Sequence, residues 1–124
     1  MAKDLQKAFQ EAGEFFNSGD MDQVGEIFDS EVIMKRIGDP GSVVGIGNVL
    51  AYLKRQKRQK PQLLNVKITF QQEKSTHGII SGTAEYKNRS SDSETTPIQF
   101  TFIFARNDPN SNWRLINLFA VPTK

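Results

Sequence analysis

The chain has no cysteine in its 124 residues, and this absence excludes disulfide frameworks, thiolate metal sites and cysteine nucleophiles. It has one histidine, His77, so a zinc site built on several imidazoles is excluded as well, and the scattered acids show no metal-ligand spacing. No stretch approaches the roughly 20 apolar residues that a membrane-spanning helix needs. The N-terminal run MAKDLQKAFQEAGEFF carries acids where a signal peptide would be apolar. The expectation is one soluble, cytoplasmic domain over residues 1–124, long enough to bury a core without metals or disulfides. No cofactor is expected.

Charge is not scarce but it is unevenly placed, and the net value of +2 hides this. Residues 1–31 hold Asp4, Glu11, Glu14, Asp20, Asp22, Glu26, Asp29 and Glu31 against Lys3 and Lys7. Residues 35–60 hold Lys35, Arg36, Lys54, Arg55, Lys57, Arg58 and Lys60 against Asp39 alone. Such a split can steer an anion to one end, or it can be two solvated faces. The basic run over residues 54–60 has no interleaved aromatics to stack bases, and the helix dipole favours cations at a helix C-terminus. A solvated helix end is therefore expected there rather than a nucleic-acid partner.

Hydrophobic periodicity supplies the elements. Leu5, Ala8, Phe9, Ala12, Phe15 and Phe16 recur at helical spacing, which predicts a helix over 3–17. Asp20, with Gln23 three residues on, suits the start of a second helix whose buried side is Met21, Val24, Ile27 and Phe28. A short strand comes next over 32–37, then a Gly-Asp-Pro-Gly turn and a loop to Gly45. Ile46, Val49, Leu50 and Leu53 predict a third helix, ended near Gln59 by Pro61. Everything beyond reads as strand, over 63–72, 78–87, 97–106 and 113–121. Leu64, Val66, Ile68 and Phe70 alternate with polar residues, as do Phe100, Phe102 and Phe104, so one sheet face is strongly apolar. Residues 88–96, NRSSDSETT, read as a hairpin loop.

Helices first and a long meander afterwards predict an α+β fold in which N-terminal helices cover one face of a curved antiparallel sheet. The stretch FFNSGDMDQVGEIFDSEVIM, then VVGIGNVLAYL, then FTFIFARNDPNSNWRLINLFAV resembles the nuclear transport factor 2-like superfamily, which includes SnoaL-like polyketide cyclases and ketosteroid isomerase. The resemblance covers nearly the whole chain. It implies a cone-like, cystatin-like roll, and that fold hosts enzymes, ligand binders and assembly domains alike.

Ketosteroid isomerase chemistry would need a carboxylate near Lys35 and a tyrosine near Ala12, and both are missing; the arginine flanked by paired aspartates of the epoxide hydrolase branch is missing too. The first strand offers Lys35 or Arg36 to the cone, according to which parity faces inward. His77 lies in Ser-Thr-His-Gly and reads as an exposed turn residue more readily than as a catalyst. Asn117 interrupts the run Trp113, Leu115, Asn117 and Phe119, and a buried amide must find a partner, whether protein or ligand. Tyr52 and Tyr86 can each present a hydroxyl to a pocket or to the surface. The expected pocket residues are thus Phe16, Lys35, Tyr52, Phe70, Tyr86, Phe102, Phe104 and Asn117.

The second face of the last strands is apolar too, with Ile103, Ala105, Ile116, Leu118 and Ala120. A sheet covered on one side only should be polar on the other, so this excess predicts a closed homodimer through the sheet, with Ile103, Ala105, Ile116 and Leu118 at its centre. The leading functional expectation is a homodimer binding a small apolar or aromatic molecule, with any anionic group near Lys35 or Arg36. The rivals are a cofactor-free isomerase, cyclase or dehydratase, which needs a titratable pair, and an interaction module with a filled cone.

Overall fold

The computed structural model describes residues 4–18, 27–35, 42–57, 61–88 and 95–123. Helix α1, Leu5–Ser18, buries Leu5, Ala8 and Ala12 along one stripe. Asp4 caps it: its carboxylate accepts from the Lys7 amide at 2.7 Å, which satisfies one of the helix's orphan N–H groups. Strands β1, Phe28–Lys35, and β2, Ser42–Val44, form an antiparallel pair. Helix α2, Ile46–Lys57, starts at Gly45, whose φ of 88° suits a residue without a Cβ. The Gly45 amide donates to the Val32 carbonyl (2.8 Å) and its carbonyl accepts from Val49 (2.9 Å), which ties the helix start to β1.

The remainder is a meander of β3, Pro61–Glu73, β4, His77–Asn88, β5, Thr95–Ala105, and β6, Arg114–Pro122. The strand order is β2-β1-β6-β5-β4-β3. The sheet is mixed rather than wholly antiparallel, because β1 runs parallel to β6 and all other neighbours are antiparallel. The two described helices against this open sheet make the α+β cone-like architecture expected from the sequence. The expected second helix lies mostly outside the described residues; Phe28, placed on its buried side, opens β1 and is 1% exposed. Strand β2 stands where the sequence predicts loop, and β1 begins four residues before the expected start at 32.

The paired residues fix the two faces. One face carries Gly78, Ile80, Gly82 and Ala84 opposite Phe104, Phe102, Phe100 and Ile98, and these meet Leu115, Leu118 and Ala120 of β6. This inner face is the core. Phe9 of α1 stacks on Phe100 at 5.5 Å and meets Phe102 edge to face at 5.1 Å, while Phe102 and Phe104 lie 6.3 Å apart. The outer face carries Ile79, Ser81, Thr83 and Glu85 opposite Ile103, Thr101, Gln99 and Pro97.

Three irregularities move residues between these faces. In β6 the register slips between the pairs Ile103↔Asn117 and Phe104↔Leu115, leaving Ile116 as the extra residue of a bulge. In β3 it slips between Leu64 and Lys67 and again between Ile68 and Phe70. The first β3 slip coincides with Asn65 at φ 53°, a left-handed conformation that asparagine tolerates. Because side chains alternate with a period of two, each slip carries the residues after it to the opposite face.

Candidate functional site

The two ends of the inner face differ. At one end Gly78, Phe104, Leu115 and Trp113 are all buried, so this end is closed. At the other, Leu63 and Tyr86 are paired and half-buried, and Thr96, opposite Tyr86 on β5, is exposed. Tyr52 of α2 reaches the same neighbourhood and packs half-buried against the core. The two phenols sense each other: burial first, and then the Tyr52 phenol, push Tyr86 above the ordinary tyrosine range. Ile68 sits opposite Gly82 on this face, and Val66 shares it by alternation from Lys67. Both are apolar yet 39% and 46% exposed. The inner face thus leaves apolar side chains open along β3, with two phenols at its open end.

Of the expected pocket residues, Tyr52, Tyr86, Phe102 and Phe104 share the inner face, the phenylalanines in its packed interior and the tyrosines at its open end. Three others need correction. Lys35 pairs with Phe119 and faces outward, because Val32 and Met34 are the buried parity of β1. Phe70 pairs with Ser81 on the outer face, where it is 50% exposed, because the bulge before it reverses the alternation begun at Ile68. Asn117 pairs with Ile103 and Ile33, also outward, because the Ile116 bulge separates it from Trp113 and Leu115. The same bulge turns Leu118, expected on the dimer face, into the core at 6% exposure. Ile103 and Ala105 are on the outer face, and Ile116 is half-buried at the bulge. The side chain of Phe16 and the whole of Arg36 lie outside the described residues.

His77 is exposed at the start of β4, on the outer face opposite Ala105, with Nδ1 3.0 Å from the Thr76 hydroxyl. Among the described residues, no three His, Asp or Glu side chains stand close enough to share a metal ion. None of the described helices is long and apolar enough to cross a membrane.

Sequence reasoning passed over two polar clusters. On the outer face the Glu85 carboxylate accepts from Asn65 Nδ2 and Thr95 Oγ1, each at 2.7 Å, and these hydrogen bonds hold Glu85 below the usual carboxylate range. This pins the left-handed Asn65; an asparagine inside an apolar alternation was the signal available for it. At the closed end Arg106 lies 4.0 Å over the Trp113 ring, donates through Nε to the Ser75 carbonyl (2.8 Å) and stands 3.7 Å from Glu73. Arg106 thereby joins the β3–β4 turn to the segment before β6.

No family model and no curated protein matches the chain. Solved structures do. A protein of Thiobacillus denitrificans, provisionally described as a calcium/calmodulin-dependent protein kinase type II association domain, superposes with a TM-score of 0.81 at 15% identity, covering 100% of this chain and 98% of the other. A protein of Streptomyces avermitilis, provisionally described as a dehydratase of the nuclear transport factor 2-like family, gives 0.78 at 17% identity, over 97% and 94% of the two chains. A ketosteroid isomerase-like protein of Erwinia carotovora atroseptica gives 0.78 at 11% identity over the same shares. The chain therefore has the nuclear transport factor 2-like fold, and at these identities the likeness speaks of fold alone.

Proposed function

We propose that this protein binds a small, largely apolar or aromatic molecule at the open end of its inner face. The observation that carries the reading is the convergence of Tyr52 and Tyr86 at the open end of an inner face on which Ile68 and Val66, large apolar side chains, are left exposed where burial would be favourable. A phenol kept protonated is a hydrogen-bond donor and a poor base at neutral pH. The site is accordingly suited to holding an uncharged oxygen acceptor rather than to abstracting a proton, which favours binding over the isomerase and dehydratase activities that some neighbours' descriptions carry. The ligand's body would lie on Ile68 and Leu63 and its oxygen would face the two hydroxyls. Native mass spectrometry of protein purified from its own cells tests this. A discrete extra mass, lost in Ile68→Asp and weakened in Tyr86→Phe, is the expected result. A clean protein mass, together with no thermal shift across a panel of neutral aromatic metabolites, would sink the reading.

A second copy of the chain is the partner proposed for the outer face. Val44, Ile33, Ile103 and Ile79 line one row across four strands, interrupted by Asn117, and Val44 is 56% exposed. The likeness to a protein described as an association domain is consistent with such assembly. Sedimentation equilibrium should give a dimer that Ile103→Asp reduces to monomer; a monomeric wild-type protein at tens of micromolar would remove this partner.

A further inference from the structure

Trp113 is 3% exposed, and among the described residues no protein atom accepts a hydrogen bond from its Nε1. Among the described residues it is the sole enclosed side-chain polar atom in that position. An unmet buried donor costs on the order of 1–3 kcal/mol, and native interiors leave few of them. The residues that share this end of the inner face, Phe28, Phe104 and Leu115, are apolar and offer no side-chain acceptor. The Arg106 guanidinium above the indole face withdraws electron density from the ring and makes the N–H a stronger donor. Arg106 is itself engaged with Ser75 and Glu73, so the cluster carries no spare positive charge to balance an anion in apolar surroundings.

We infer that the closed end of the cone holds an uncharged oxygen acceptor against Trp113 Nε1, making this indole a binding donor rather than only a packed ring. Its place at the opposite end from Tyr52 and Tyr86 makes the inference independent of the ligand proposed for the open end. The same acceptor chemistry has two sources, a sequestered water or the oxygen of a neutral organic molecule that reaches the closed end.

Trp113 is the only tryptophan, so a ¹⁵N-labelled sample of the unaltered protein shows one indole N–H signal, and no variant has to fold. The expected result is a signal displaced downfield, as hydrogen bonding requires, with a cross-peak to water that persists in long-lived exchange. Titration with cyclohexanone, a neutral carbonyl probe, separates the sources: a saturable shift with loss of the water cross-peak identifies an organic oxygen as a competent occupant. Persistence of the water cross-peak at saturating probe identifies a resident water. An upfield signal with neither a water cross-peak nor a response to the probe overturns the inference. So does a through-bond coupling from the indole nitrogen to a backbone carbonyl of the chain.

Discussion

The bulge at Ile116 can be tested by substituting the two residues after it. Strict alternation from Trp113 and Leu115 would put Asn117 in the core and Leu118 on the far face, whereas the structure does the reverse. Leu118 is 6% exposed and is flanked by Phe102 and Met34, both at least as well buried. Removing its side chain leaves a hole walled by side chains that strand pairing holds in place, so Leu118→Ala should cost about 3 kcal/mol, within the usual 2–5 for a buried leucine. Asn117→Ala, on the half-exposed outer face between Ile33 and Ile103, should stay within roughly 0.5 kcal/mol. With a urea m-value of about 2 kcal/mol/M, the first change lowers the denaturation midpoint by about 1.5 M and the second barely moves it. Trp113 fluorescence can follow both transitions at two protein concentrations. If Leu118 served a dimer interface instead, its loss would matter more at the higher concentration, where the wild-type dimer gains most from mass action. A cost for Asn117→Ala larger than that for Leu118→Ala would refute the bulge and with it the assignment of faces.

The same geometry predicts three more outcomes. A Cβ on Gly82 would collide with the Lys67 carbonyl oxygen and lie 2.8 Å from Phe100 Cζ, so Gly82→Ala should lose about 2 kcal/mol or more in thermal or urea unfolding; an unchanged midpoint would mean that β3 does not fold over β4 there. Glu85 has a depressed pKa, so its contribution is present above the unfolded glutamate value of about 4.3 and disappears as pH falls through the lower folded value. Acid titration of stability should therefore be shallower in Glu85→Gln, and equal slopes would deny the Asn65 and Thr95 hydrogen bonds any role. Tyr86 is shifted the other way: the folded state keeps its proton where the unfolded state has lost it, so stability should fall as pH rises past the ordinary value of about 10. Tyr86→Phe should flatten that decline in alkaline unfolding curves, and a decline of undiminished slope would show that the phenol is not enclosed as described.

How legible each element is in the sequence depends on the length of its pattern. Helices α1 and α2 and the four meander strands carry long apolar repeats or strong β formers, and their positions agree with the sequence pattern to within two or three residues. Faces agree only where no bulge intervenes. Phe100, Phe102 and Phe104 share the unbroken β4–β5 ladder and stay together, whereas Phe70 and Asn117 lie beyond bulges that the alternation of residue types does not announce. Strand β2 has three residues and no periodicity to read, and in β1 the polar Asp29, Ser30 and Glu31 follow directly on Phe28. At the candidate site, Tyr52 and Tyr86 are visible in the sequence as aromatic rings with a polar handle. Lys35 is not placeable from it, because a short strand with apolar residues at both parities, Val32 and Met34 against Ile33, leaves its inward side undecided.

The exposed apolar residues divide between the two faces, and this division bears on what the fold is for. Val66 and Ile68 are left open on the inner face; Phe70, Val44 and Val121 are left open on the outer one. A ligand at the open end can cover the first pair and cannot touch the second group, which the sheet separates from it. A second copy stacked on the outer face has the opposite reach. Neither a ligand binder that stays monomeric nor an assembly module with a filled cone accounts for both sets, so the two proposals are complementary. They are also separable, since Ile103→Asp should abolish the dimer while leaving a neutral ligand bound, and Ile68→Asp should do the converse. The sheet is a rigid layer whose strands present alternate residues to each side, which allows one face to be changed with little effect on the other. Loss of both properties from either single substitution would mean that dimer formation shapes the open end, and would place the ligand site and the interface in one structural unit.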